Sequence, residues 1–132
     1  MIAVLDVCGA MEILFQTPKM EKFNNIIVNA SMRLSSDLYV PELTNVLWRY
    51  WKAGKLSADE CSQYIDRGIK LIDRFIDSKS LWEEVFGQSV ASKHSVYDLF
   101  YAIIARRYNG VLVTNDDELS KICDKLNIQY YF

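Results

Sequence analysis

The sequence predicts an α/β protein, a three-layer α/β/α sandwich built on a central, mainly parallel sheet. Three observations carry that expectation. Short apolar runs, Ile2–Leu5 above all, have the texture of strands covered on both faces. The longer segments between them space their apolar residues three and four apart, as amphipathic helices do. Strand and helix then alternate along the chain, which favours parallel strands joined by right-handed crossovers. The 132 residues suit one domain with a single substantial core, and no repeat, low-complexity tract or linker divides them.

The first strand, Ile2–Leu5, ends at Asp6, and Gly9–Phe15 forms a short helix or turn leading away from it. Thr17-Pro18 predicts a helix start, with Thr17 as N-cap and Pro18 where its missing N–H does no harm. That helix runs to about Ser31 with Met20, Phe23, Ile27 and Ala30 on one face. A second strand is expected over Leu38–Val40, stopping at Pro41. Glu42 then opens a helix to about Ala53, with Leu43, Val46, Leu47 and Tyr50 as its buried stripe and Gly54 ending it. Ser57 and Glu60 make a capping box. Cys61, Ile65, Ile69, Ile72 and Ile76 carry the helix it starts to about Asp77. Gly68 inside that helix costs about 1 kcal/mol relative to Ala, which a close helix contact would explain. A helix over Leu81–Ser92, another from Ser95, a strand Val111–Thr114, a helix from about Asp116 to Leu126 and a strand Gln129–Tyr131 follow.

Composition narrows the partners. A net charge of −2 provides no overall basic field, so a nucleic acid would have to be met by local cations or by metal ions. The three cysteines, Cys8, Cys61 and Cys123, are odd in number and far apart, as reduced thiols are, and fit neither a disulfide framework nor a Cys zinc site. The opening stretch MIAVLDVCGAMEILF lacks a basic flank and is broken by Asp6 and Glu12. Neither a signal peptide nor a membrane span or membrane partner is expected, and the expected location is cytoplasmic.

In a parallel sheet, ligands bind beyond the carboxyl ends of the strands, where strand order reverses. Asp6 and the run Thr114–Asp116 belong on that edge. Each acid also has an ordinary explanation. An Asx turn accounts for Asp6, although an acid at a buried edge costs stability unless hydrogen-bonded or metal-bound. Glu42 suits the first turn of a helix, Asp98 completes a Ser95-x-x-Asp98 cap, and Asp116 or Asp117 serves as an N-cap.

The order of these acids is more specific than any one of them. The chain has a strand ending in Asp6, then Glu42-Leu43-Thr44-Asn45-Val46-Leu47, then Tyr97-Asp98 with Tyr101, then Leu112-Val113-Thr114-Asn115-Asp116 with Leu119. That series resembles the PIN-domain family, and more narrowly the VapC-type toxin ribonucleases and their small single-domain relatives. The resemblance spans nearly the whole chain, so residues 1–132 read as one PIN-like nuclease domain. It implies an endoribonuclease dependent on Mg²⁺ or Mn²⁺ that cleaves single-stranded or structured RNA by metal-activated water. Asp6, Glu42, Asp98 and Asp116 would ring the metal, with Thr114 bonding phosphate or a water. Asp117 is an alternative or accessory to Asp116. The resemblance also implies a homodimer and a cognate antitoxin covering the active-site groove. The chain departs from the family at Cys8, where a small hydroxyl residue is usual. A catalytically silent PIN-like module that binds RNA or a protein therefore stays open.

Other phosphoryl-transfer folds fit less well. A dehalogenase-like site needs Asp-x-Asp after the first strand and a receiver domain needs an acid pair, whereas Asp6-Val7-Cys8 supplies one acid. The only histidine, His94, has no acidic orienter apparent in the sequence, so a Cys–His nucleophile is unsupported. Cations available to phosphate are Arg49, Lys52, Lys55, Lys93, Arg106 and Arg107, although for each taken singly a solvated helix face is the better reading. Trp48-Arg49-Tyr50-Trp51 is apolar around more than one side of its helix and predicts an exposed partner surface.

Overall fold

The computed structural model describes all of residues 1–132. In chain order it contains β1 (Ile2–Leu5), α1 (Val7–Leu14), α2 (Met20–Asn29), β2 (Met32–Ser36), α3 (Tyr39–Lys52), α4 (Ala58–Lys70) and β3 (Arg74–Ile76). A 3₁₀ turn at Ser78–Ser80 leads to α5 (Trp82–Ser92), α6 (Val96–Arg107), β4 (Val111–Val113), α7 (Asp117–Leu126) and β5 (Tyr130–Tyr131). The strands form one sheet in the order β3-β2-β1-β4-β5, and every pairing is parallel. The chain steps outward from β1 to β3, then crosses back to β4, so strand order reverses between β1 and β4. Right-handed crossovers place α1–α4 on one face and α5–α7 on the other. The packing agrees: α1 touches α2, α3 and α4, while α6 lies on β1, β2 and β4 and touches α5 and α7. No helix is long and apolar enough to cross a membrane.

Ala3, Val4 and Leu5 are fully buried between these layers, as the continuous apolar run predicts. Gly68 has the predicted packing reason. A Cβ there would stand 2.5 Å from Leu43 Cδ2, and the Tyr39 hydroxyl donates to the Gly68 carbonyl at 2.8 Å, so α3 and α4 meet at this point. Gly54 ends α3 with φ +73°, and the Ser57–Glu60 capping box forms in full.

Two strands lie elsewhere than predicted. β2 is Met32–Ser36, and Leu38–Val40 instead lead into α3, whose first turn accommodates Pro41. Polar residues disguised β2: Ser35 and Ser36 are both fully buried. The Ser35 hydroxyl donates to the Leu5 carbonyl at 2.6 Å and the Ser36 hydroxyl accepts the Leu38 N–H at 3.1 Å, which meets the need of a buried polar group. The helix expected to reach Asp77 ends at Lys70, and Arg74–Ile76 is β3. Ile72 and Ile76 continue the helical spacing but are buried by the return of the chain to the sheet, where Asp73 accepts both the backbone N–H and the guanidinium of Arg33. Thr17 does not cap α2, which begins at Met20; its hydroxyl donates to the Glu12 carboxylate instead.

Candidate active site

The register of β1 and β4 pairs Leu5 with Val113, so the residues that follow, Asp6 and Thr114, leave the sheet side by side at its carboxyl edge. Asp6 is the N-cap of α1, its Oδ1 accepting the Gly9 N–H at 2.7 Å. Gly9 is required by proximity, because a Cβ would lie 2.5 Å from the Val113 carbonyl oxygen. The other Asp6 oxygen accepts the Thr114 hydroxyl, and that hydroxyl in turn accepts the Asp116 N–H at 3.0 Å. Asp116 caps α7, with Oδ1 accepting the N–H groups of Glu118 at 2.9 Å and Leu119 at 3.3 Å. Three predicted residues are thus joined in one hydrogen-bonded chain. Each cap occupies one carboxylate oxygen, and at Asp6 the second oxygen is held by Thr114.

Glu42 and Asp98 arrive from helices on opposite faces of the sheet. Glu42 is half-buried in the first turn of α3, where its Oε2 accepts the Tyr101 hydroxyl at 3.1 Å. Tyr101 comes from α6 and is almost wholly buried. Asp98 lies in the first turn of α6, yet the Ser95 side chain makes no capping bond there, against expectation. His94 supplies the local partner, its Nε2 lying 3.1 Å from Asp98 Oδ2. His94 therefore does have an acidic neighbour, four residues on. That i,i+4 spacing is the signal in the sequence that could have revealed it. Tyr101 was visible in the YD-x-x-Y pattern, but its contact with Glu42 crosses the sheet and leaves no local trace.

Electrostatics ties the two halves together. Burial pushes the Asp6 carboxyl up to about 7, with its bonds to Thr114 and Gly9 opposing the rise and the charges of Asp116 and Asp98 adding to it. Burial also raises Glu42, partly offset by Tyr101 and reinforced by Asp98. The Cys8 thiol feels all four acids. Partial enclosure of the sulfur, then the charges of Asp6, Asp116, Asp98 and Glu42, push it up to about 12, so it stays a neutral thiol. As placed, no three His, Cys, Asp or Glu groups stand close enough to hold an ion. The donors gathered there are nonetheless oxygen-rich, the kind a hard divalent cation takes.

The remaining predicted residues stand apart. Asp117 is exposed and pairs with Lys121 at 2.9 Å. Arg106 and Arg107 both bind Glu84, at 2.7 Å each, and Arg107 also reaches the Ser80 carbonyl. They fasten α6 to α5 and lie about 12 Å along the helix from Asp98. Arg49 is exposed two turns beyond Glu42 on α3, and the Lys52 ammonium sits over the Trp48 ring at 5.1 Å.

By sequence the chain matches no family model and no curated protein. By structure it is similar to PAE2754 from Pyrobaculum aerophilum, with a TM-score of 0.72 and 21% identity over 89% of this chain and 81% of that one. It is also similar to VapBC2 from Rickettsia felis, solved bound to a DNA fragment from their promoter, with a TM-score of 0.68 and 16% identity over 99% and 98% of the two chains. At these identities the likeness is one of fold, and the fold is the PIN-like α/β/α sandwich that the order of acids implied.

Proposed function

We propose that the chain is a divalent-metal-dependent endoribonuclease in which Asp6, Glu42, Asp98 and Asp116 hold Mg²⁺ or Mn²⁺. The observation behind this reading is the hydrogen-bonded chain Asp6–Thr114–Asp116 at the carboxyl edge of the sheet beside its reversal of strand order, with Glu42 and Asp98 in the first turns of α3 and α6. Like charges gathered at one place oppose folding and raise one another's proton affinity. A divalent cation relieves both effects, and the donor set is carboxylate and hydroxyl oxygen, which suits Mg²⁺ or Mn²⁺. When bound, the cation would polarise the phosphodiester and help ionise an attacking water. Thr114 holds Asp6 and orients it while keeping the Asp116 backbone in register. Tyr101 favours the ionised form of Glu42, so that Glu42 can act as a ligand. Glu42 and Asp98 are only half-buried, and the gap between the present arrangement and a closed coordination shell is theirs to cover.

The substrate in this reading is RNA, and the location cytoplasmic. The resemblance to VapC-type toxins and the structural likeness to VapBC2 support a toxin's role with a cognate antitoxin. Trp48 and Trp51, about half exposed on α3, supply apolar surface for that partner or for a second copy in a homodimer. One observation favours the silent-module reading: both Asp6 oxygens already have partners inside the protein. Mn²⁺-dependent cleavage of single-stranded RNA separates the two. The wild type should cleave and Asp98→Asn should lose about 100-fold or more. Equal activity in both sinks the acid assignment, and an inactive wild type favours the silent module.

A further inference from the structure

The turn between α5 and α6 fixes His94 before its ring makes any contact. Lys93 ends α5 in the left-handed conformation, φ 56°, and the Ser89 hydroxyl donates to the His94 carbonyl at 2.5 Å. The ring itself is largely enclosed, with 19% of the side chain exposed, against 35% for Asp98. His94 Nε2 lies 3.1 Å from Asp98 Oδ2, and in the tautomer with its hydrogen on Nε2 the ring donates to that oxygen. Asp98 Oδ1 has no hydrogen bond of its own, and the charge of this carboxylate reaches Asp6, Glu42 and Cys8. A half-exposed aspartate free of such a tether would exchange among staggered rotamers and spend part of its time facing solvent.

We propose that His94 is a positioning residue of the acid site: its Nε2–H holds Asp98 Oδ2 and so restrains the carboxylate that would help hold the divalent cation. This rests on the metal-binding reading above. Outer partners that fix a ligating side chain are worth about 10- to 100-fold in metal affinity. The competing role is a plain staple at the start of α6, where His94 would add to stability and leave metal affinity unchanged. The two differ in what a substitution moves.

The experiment is Mn²⁺ binding to the metal-free full chain, followed through the paramagnetic resonance signal of free Mn²⁺ and paired with thermal unfolding of each protein. His94→Leu keeps apolar bulk and removes the donor, whereas His94→Gln keeps an N–H donor on a side chain of similar reach. The expected result is binding by the wild type, about 10- to 100-fold weaker binding by His94→Leu, and recovery of most of that loss by His94→Gln. Asp98→Asn serves as the reference for loss of the ligand itself. Wild-type affinity in His94→Leu, or a His94→Gln variant as weak as His94→Leu, overturns the positioning role while the metal site stands. A lower unfolding temperature in His94→Leu with unchanged affinity assigns the staple and overturns the proposal. A wild type that binds no Mn²⁺ at millimolar concentration overturns the metal reading and this inference with it.

Discussion

The acid site has two halves built on different principles. On the strand side, Asp6, Thr114 and Asp116 form a short hydrogen-bonded chain at the ends of β1 and β4, with Asp6 4% exposed and Thr114 fully buried. On the helix side, Glu42 and Asp98 are half-buried, and each is held by a single side-chain bond, to Tyr101 and to His94. A carboxylate pinned by the sheet is fixed in place but disfavoured as an anion. One carried on a helix end is less enclosed and less restrained. The site thus joins a rigid half, in which Asp6 retains its proton, to an adjustable one, and substitutions in the two should differ in cost.

The largest expected effect comes from Asp6. Its folded pKa of about 7 lies above the ordinary 3.8, so between those values the folded chain keeps a proton that the unfolded chain has released. Stability contributed by this group is complete below pH 3.8, falls as pH rises through about 7 and is flat above it. The slope is up to about 1.4 kcal/mol per pH unit. Urea unfolding of the metal-free protein between pH 5 and 8 should show the decline, and Asp6→Asn should flatten it. A wild type equally stable at pH 5 and pH 7 would mean that Asp6 is not the strained acid described here.

This division of the site was only half legible in the sequence. Asp6 at the end of an apolar run announced a buried edge acid, and Thr114–Asp116 announced its neighbour, because strand ends in a parallel sheet converge by topology. The contacts of the helix half were not legible, since the Glu42–Tyr101 bond joins residues 59 apart across the sheet. The neighbouring strand β2 escaped because its two serines find partners only in the folded sheet, and hydrophobic pattern alone has no means of registering a satisfied buried hydroxyl. β3 escaped because three residues are too few to outweigh the helical spacing that precedes them.

Next in size is Thr114→Val. It keeps the shape but removes the donor to the buried Asp6 and the acceptor for the half-buried Asp116 N–H. Two groups lose partners, and a cost of about 2 kcal/mol is expected in urea unfolding. Since the Thr114 bond opposes the rise in Asp6, its loss should also carry the pH-dependent decline to higher pH. A cost near zero would show that the hydrogen-bonded chain at the sheet edge holds nothing.

Tyr101→Phe is the counterpart on the helix side and should be the mildest. The hydroxyl it removes bonds Glu42 at 3.1 Å and is the one contribution that lowers an acid otherwise raised by burial and by Asp98. The Glu42 titration, followed by NMR of its side-chain carboxyl, should therefore move upward. The stability cost should be under about 1 kcal/mol, because a half-buried carboxylate can take a water in place of the phenol and the ring of Phe fills the same buried space. Were Tyr101→Phe to cost as much as Thr114→Val, Glu42 would be as rigidly committed as Asp6. The acids on the helix side could not then supply the movement that the proposed ion site requires.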